Sequence, residues 1–181
     1  MPPTFGALPT MENIPASMTF NFVMTNSNIL ACHVYGPNST HYFSVNTNAT
    51  STTVSRRNGE MFAIIYWQRH ATIQASGIIE QQRTAHWIRL SHDKRLVYPS
   101  DSLGKYRRRT MVVGGRTYTW TPCGNAICLH GEDTSSAGEL ARITRANNQV
   151  TLQLAMSAFN SGFLEVSVLS TILFLSGRDI D

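Results

Sequence analysis

The plainest chemistry in the sequence lies in five cations, Lys105, Arg107, Arg108, Arg109 and Arg116. Four of them fall in the run KYRRR, residues 105–109. Guanidinium groups present paired N–H donors that match phosphate oxygens, so this run suits phosphorylated head groups or a nucleic-acid backbone. A short basic run also serves simply as a solvated, charged loop. The wider segment Arg83–Arg116 holds nine Lys and Arg against two acids, Asp93 and Asp101, an excess of seven in a chain whose total is +4. The rest of the chain is therefore net negative, and such asymmetry points to an anionic partner. Nucleic acid is disfavoured, because no platform of aromatic residues accompanies the cations.

Metal chemistry has one candidate spacing, Cys123-x4-Cys128-x-His130, with Cys32 or a further histidine needed to complete four ligands. It departs from the standard knuckles, and the expectation is no metal site, with the cysteines as small buried hydrophobes. Three cysteines in 181 residues do not make a disulfide framework. The six histidines are dispersed, and His86 shares a strand face with Ile88 and Leu90. No G-x-S-x-G elbow, P-loop or G-x-G-x-x-G turn occurs, so neither a hydrolase motif nor a cofactor motif is present. A dispersed active site could combine Asp93 or Asp101 with His86 or His92, and Tyr66, Trp67, Tyr98 and Trp120 could line a small apolar rim pocket.

The elements that position these residues read as strands. Residues 1–17 contain four of the seven prolines and form a flexible leader, so the domain is expected over 18–181. MTFNFVMT alternates apolar and polar side chains with period two, as a half-buried strand does. ILACHVY, HYFSVN, the segment 50–55, EMFAIIYWQR, IQASGII, RTAHWIRLS, AICLH, ELARITR and QVTLQLAM continue the series between turn signals. RTMVV-GG-RTYTW is the clearest hairpin, with Gly114-Gly115 at the turn. The spacing predicts about ten strands in one antiparallel barrel or sandwich.

The tail, GFLEVSVLSTILFLS, is apolar on every side of a helical wheel over about 161–176. At 1.5 Å per residue it spans roughly 21 Å, short of the ~30 Å bilayer core. Without a polar face it does not suit a surface position. A helix buried inside the sheet remains, leaving little internal room and placing function on the wall, rims or loops. The N-terminus has no cationic or continuous apolar segment of a secretory signal, which predicts a cytoplasmic protein whose Asn38 and Asn48 sequons are ordinary turns.

The TFNF strand, the hairpin VVGGRTYTW with Tyr118 and Trp120, the segment LARITR, the strand VTLQL and the closing apolar helix together resemble an uncharacterised family of mushroom-forming fungi. That family is placed with the tubby-like, LURP-one-related and phospholipid scramblase proteins, and the resemblance covers approximately Met18 to Ile180. It implies a barrel of about twelve strands threaded by a C-terminal helix. Tubby-type members bind phosphoinositides through basic surface residues, which ranks anionic phospholipid above nucleic acid. No catalytic motif comes with the family, and its clustered Lys and Arg site has no aligned counterpart here. The resulting expectation is a non-enzymatic barrel binding anionic phospholipid, or a protein partner at a membrane, through Lys105, Arg107, Arg108, Arg109 and Arg116. The alternatives are a small-molecule enzyme or carrier of fungal secondary metabolism with a rim pocket, and a self-associating structural module.

Overall fold

The computed structural model describes residues 17–91, 107–132 and 138–181. Most of the leader, and Lys105, Asp93, Asp101, His92 and Tyr98, lie outside the described residues. Thirteen strands form one antiparallel sheet. They are β1 (Ser17–Thr25), β2 (Asn28–Tyr35), β3 (His41–Thr47), β4 (Ser51–Arg56), β5 (Met61–Tyr66), β6 (Thr72–Ala75), β7 (Ile79–Arg83), β8 (Arg89–Leu90), β9 (Arg109–Val113), β10 (Arg116–Cys123), β11 (Ala126–Gly131), β12 (Ala141–Ala146) and β13 (Gln149–Ala155). Among the described residues three α-helices accompany them, α1 (Thr84–Trp87), α2 (Met156–Asn160) and α3 (Phe163–Leu175), with one 3-10 turn over Pro37–Ser39.

Two meanders make up the sheet. β1 to β7 pair in sequence order on one side, β13 back to β8 on the other, and β1 pairs with β13 in the middle. Several of the hairpins turn at residues with positive φ, among them Asn26-Ser27, Asn147-Asn148 and the expected Gly114-Gly115 (φ 56° and 76°). This is the geometry of primed turns, which match strand twist.

The sheet edges, β7 and β8, do not pair with each other, so the ladder is open and not a closed barrel, and its strand number exceeds the expected ten to twelve. Yet it cannot be flat. Twelve inter-strand steps of about 4.8 Å would place the edges nearly 58 Å apart, whereas only residues 84–88 separate β7 from β8. Such a link reaches about 20 Å, so the sheet must curl until its edges approach.

The link differs from expectation. IQASGII is broken by a turn into β6 and β7, and RTAHWIRLS is not one strand but α1 followed by the two-residue β8. His86 therefore sits on α1 rather than on a strand face. Trp87 and Thr84 of α1 are buried, and the Thr84 hydroxyl donates to the Ile180 carbonyl at 2.6 Å, with the Ala71 carbonyl 3.2 Å away. The chain end thus fills the seam that the strands leave unpaired.

α3 lies within the expected 161–176 range and is almost wholly buried; only Glu165 and Phe174 are half-buried. Its contacts come from both meanders. Phe163 packs edge-on to Tyr118 (4.7 Å between ring centres), Phe174 to Trp120 (5.6 Å), and Glu165 accepts hydrogen bonds from Arg56 Nε and Nη2 at 3.2 and 2.9 Å. Glu165 in the first turn also complements the positive end of the helix dipole. No helix among the described residues is long and apolar enough to cross a membrane.

Candidate functional site: a basic cleft at the end of the buried helix

The β9–β10 hairpin runs along α3. Its base, where Arg109 pairs with Trp120, lies beside the helix C-terminus, and its tip, with Arg116, lies beside the N-terminus. This separates residues that the sequence places close together. Arg107 and Arg109 line a cleft of about 390 Å³ at the C-terminal rim, where Arg145 from β12 and Arg178 from the tail join them. Arg116 lines a different cleft of about 680 Å³, shared with Glu132. Arg108 is half-buried on the approach to β9, where its carbonyl accepts the Ser91 N–H at 2.9 Å.

Four guanidinium groups in the C-terminal cleft face two carboxylates, Asp179 and Asp181. Arg109 is committed: Nη1 and Nη2 donate to the two Asp181 oxygens at 2.8 and 2.7 Å, and Nη1 also donates to the Ile88 carbonyl at 3.2 Å. Those hydrogen bonds hold the Asp181 carboxyl below its ordinary range, with the charges of Arg109 and Arg107 adding to the effect against some desolvation. Arg109, expected as a ligand-binding residue, is thus chiefly a clamp between the chain end and β8–β9. Arg178 lies over the Trp67 ring at 4.9 Å, a cation–π contact that leaves its N–H edges available. The carbonyl end of α3 contributes partial negative charge to this rim. The four arginines outnumber the two carboxylates, and Arg107, Arg145 and Arg178 carry the cationic side of the cleft.

A larger cleft of about 740 Å³ opens at the other rim, beside the α3 N-terminus. Tyr42, Phe43, Phe159 and Leu164 give it an apolar lining. Its Arg56 is already paired with Glu60 and Glu165, leaving Arg57 to supply the remaining cationic charge. Size makes it a cavity for a small molecule, but its charges do not make a phosphate cage.

Other expected groupings resolve differently. Trp120 is buried under Phe174, while the Trp67 indole donates to Thr52 Oγ1 at 2.7 Å; neither they nor Tyr66 line the three clefts. His33 Nδ1 and His41 Nε2 both approach the Ser44 hydroxyl, at 3.0 and 3.1 Å, so two of the dispersed histidines meet on the outer wall. Cys123 and Cys128 are joined in a disulfide, contrary to the expectation of separate buried thiols. The Gly124-Asn125 turn sets Cys123 opposite Ala126 and Cys128 opposite Thr121, and this diagonal puts both sulfurs on one face. Cys32 alone is a buried thiol, its titration pushed up to about 12 by desolvation.

The described residues define the class of molecule as mostly β, one open antiparallel sheet with a buried C-terminal helix. The chain belongs to a family of unknown function (DUF6593), whose model matches residues 24–178. A solved X-ray structure of a protein from Arabidopsis thaliana resembles it at 8% identity, covering 88% of this chain and 93% of that one, with a TM-score of 0.45. No curated protein matches the sequence.

Proposed function

We propose that this protein is a non-enzymatic, tubby-like module that wraps a central helix and binds the phosphorylated head group of an anionic phospholipid at its C-terminal rim. It acts peripherally at a membrane, with a protein partner at that membrane as the other expected contact. The observation that carries the reading is the convergence of Arg107, Arg109, Arg145 and Arg178 on one cleft. The sequence resemblance to a superfamily with phosphoinositide-binding members supports it. Arg145 and Arg178 replace Arg108 and Arg116 in the expected set, and Lys105 stays in it as a residue outside the described part of the chain. Guanidinium groups drawn from separate elements are held apart by the fold, which suits a multiply charged phosphate better than a single flexible loop does.

Flotation with vesicles containing phosphoinositide tests the reading. Wild-type protein should float with these vesicles and not with neutral ones, and binding should fall with added salt. The triple variant Arg107→Ala/Arg145→Ala/Arg178→Ala should stay at the bottom of the gradient, whereas Arg116→Ala should float like wild type. Equal flotation of wild type and triple variant would remove the proposal.

The large apolar cleft at the opposite rim favours one second reading, a carrier or enzyme acting on a small molecule, since about 740 Å³ falls in the range of ligand sites. Mass spectrometry of small molecules released from denatured protein distinguishes it: a stoichiometric apolar compound, lost in Leu164→Arg, would favour this reading over the first.

A further inference from the structure

The outer wall of the β10–β11 hairpin holds a second piece of chemistry, independent of the three clefts. Cys123 ends β10 and Cys128 lies in β11, their Cα atoms 6.3 Å apart across the disulfide. The hairpin they join is already closed by a two-residue turn and a ladder of six residue pairs. Cross-linking so short a loop removes little chain entropy, so stability is a poor reason for two cysteines here. Cys128 is fully buried and Cys123 half-buried, although Cys128 is absent from the apolar core cluster around α3. A third group completes the arrangement. A carboxylate oxygen of Glu139, from the segment leading into β12, lies with both sulfurs in a set whose ligand atoms are all within 4.8 Å of one another. The spacing in the sequence suggested His130 as the third ligand; the fold supplies Glu139 instead.

We propose that the reduced hairpin is a zinc-type metal site, with Cys123, Cys128 and Glu139 as ligands, and that the disulfide is its closed, metal-free form. Two sulfurs and one carboxylate oxygen supply three of the four positions of tetrahedral Zn²⁺ and leave one for water or an outside ligand. Opening the site requires a thiol reductant: two monothiols give two electrons and two protons to the disulfide, leaving two cysteine thiols and one external disulfide. Metal binding then releases both thiol protons. Two thiolates and a carboxylate around a dication carry one net negative charge, which the adjacent Arg142 offsets. Arg142 donates to both Glu139 oxygens at 2.7 and 2.6 Å and pairs with Cys128 across the β11–β12 ladder. It is a positioning residue that orients the carboxylate, as outer-shell partners do in metal sites.

The experiment is a Co²⁺ titration of full-length protein, reduced with dithiothreitol and desalted without oxygen, compared with the oxidised protein. Reduced protein should take up about one Co²⁺ per chain with a near-ultraviolet thiolate-to-metal absorption that Zn²⁺ abolishes, and oxidised protein should show none. Cys123→Ser or Cys128→Ser should abolish the band, Glu139→Gln should weaken binding about tenfold or more, and His130→Ala and Cys32→Ala should leave it unchanged. Circular dichroism identifies any variant that fails to fold, and Glu139→Gln, an isosteric change at a half-buried side chain, keeps the test decisive. Absence of the band in reduced wild type, or an unchanged affinity in Glu139→Gln, would overturn the site.

Discussion

Arg109 shows how a residue can look like a binding group in sequence and act as a fastener in the fold. Its partner Asp181 lies 72 residues away, beyond the reach of any local pattern. The two cations that join Arg107 and Arg109 in the cleft, Arg145 and Arg178, lie far from them in sequence and become part of a cluster only once β12 and the tail meet at the rim. The Arg109–Asp181 pair has a predictable pH signature. The lowered Asp181 pKa means that its contribution is complete above the ordinary aspartate value of 3.8 and disappears as pH falls through the lowered folded value. Urea denaturation should find Asp181→Asn less stable than wild type near neutral pH, by at most about 1 kcal/mol because the carboxylate is half exposed, and the gap should close under acid conditions. Cys32 gives a second residue-scale outcome. With its thiol buried and pushed up to about 12, Cys32 should stay unmodified by iodoacetamide in folded reduced protein at mildly alkaline pH, as peptide mass mapping reads it, and urea should expose it. Rapid alkylation of all three thiols in folded protein would contradict this placement.

At the level of elements, α3 was legible because its short length and its apolar residues on every side of the helical wheel disfavour the other environments open to a helix. The link α1 was not: RTAHWIRLS alternates like a strand, and its helical turn follows from the need to join two sheet edges, which is a property of the whole sheet. The same holds for α2, which lies in sequence that reads as the end of a strand and the start of the next helix. Leu169 is fully buried, so Leu169→Ala should cost roughly 2–5 kcal/mol, and Leu169→Asp should abolish folding, both read by chemical denaturation. Ser167 gives the opposite outcome. Ser170 and Thr171 donate to the carbonyls of Val166 and Ser167 at 2.9 and 2.7 Å, but the buried Ser167 hydroxyl has no partner. Ser167→Ala should therefore be neutral or stabilising by up to about 1 kcal/mol; a larger loss would show that the hydroxyl is satisfied in solution. Thr84→Val should cost about 1–3 kcal/mol, because it leaves the Ile180 carbonyl at the seam without its donor.

Across the whole molecule, the three larger clefts open beside the two ends of α3, and a smaller one of about 260 Å³ lies against α1 and the β8–β10 strands. Arginines gather in the cleft at one rim and apolar side chains in the cleft at the other, and the antiparallel β9–β10 hairpin carries Arg109 and Arg116 toward opposite ends of the helix. Strand pattern and turn residues made the antiparallel sheet readable in the sequence. The open seam, the thirteenth strand and the partition of charge between rims were not readable, since each depends on how the two meanders close. The central claim is that an anion settles at the C-terminal rim, and nuclear magnetic resonance with a soluble inositol phosphate tests it most directly. Saturable shifts should centre on Arg107, Arg145 and Arg178, with Arg116 and Arg57 unmoved; shifts centred on the opposite rim, or none at all, would contradict it.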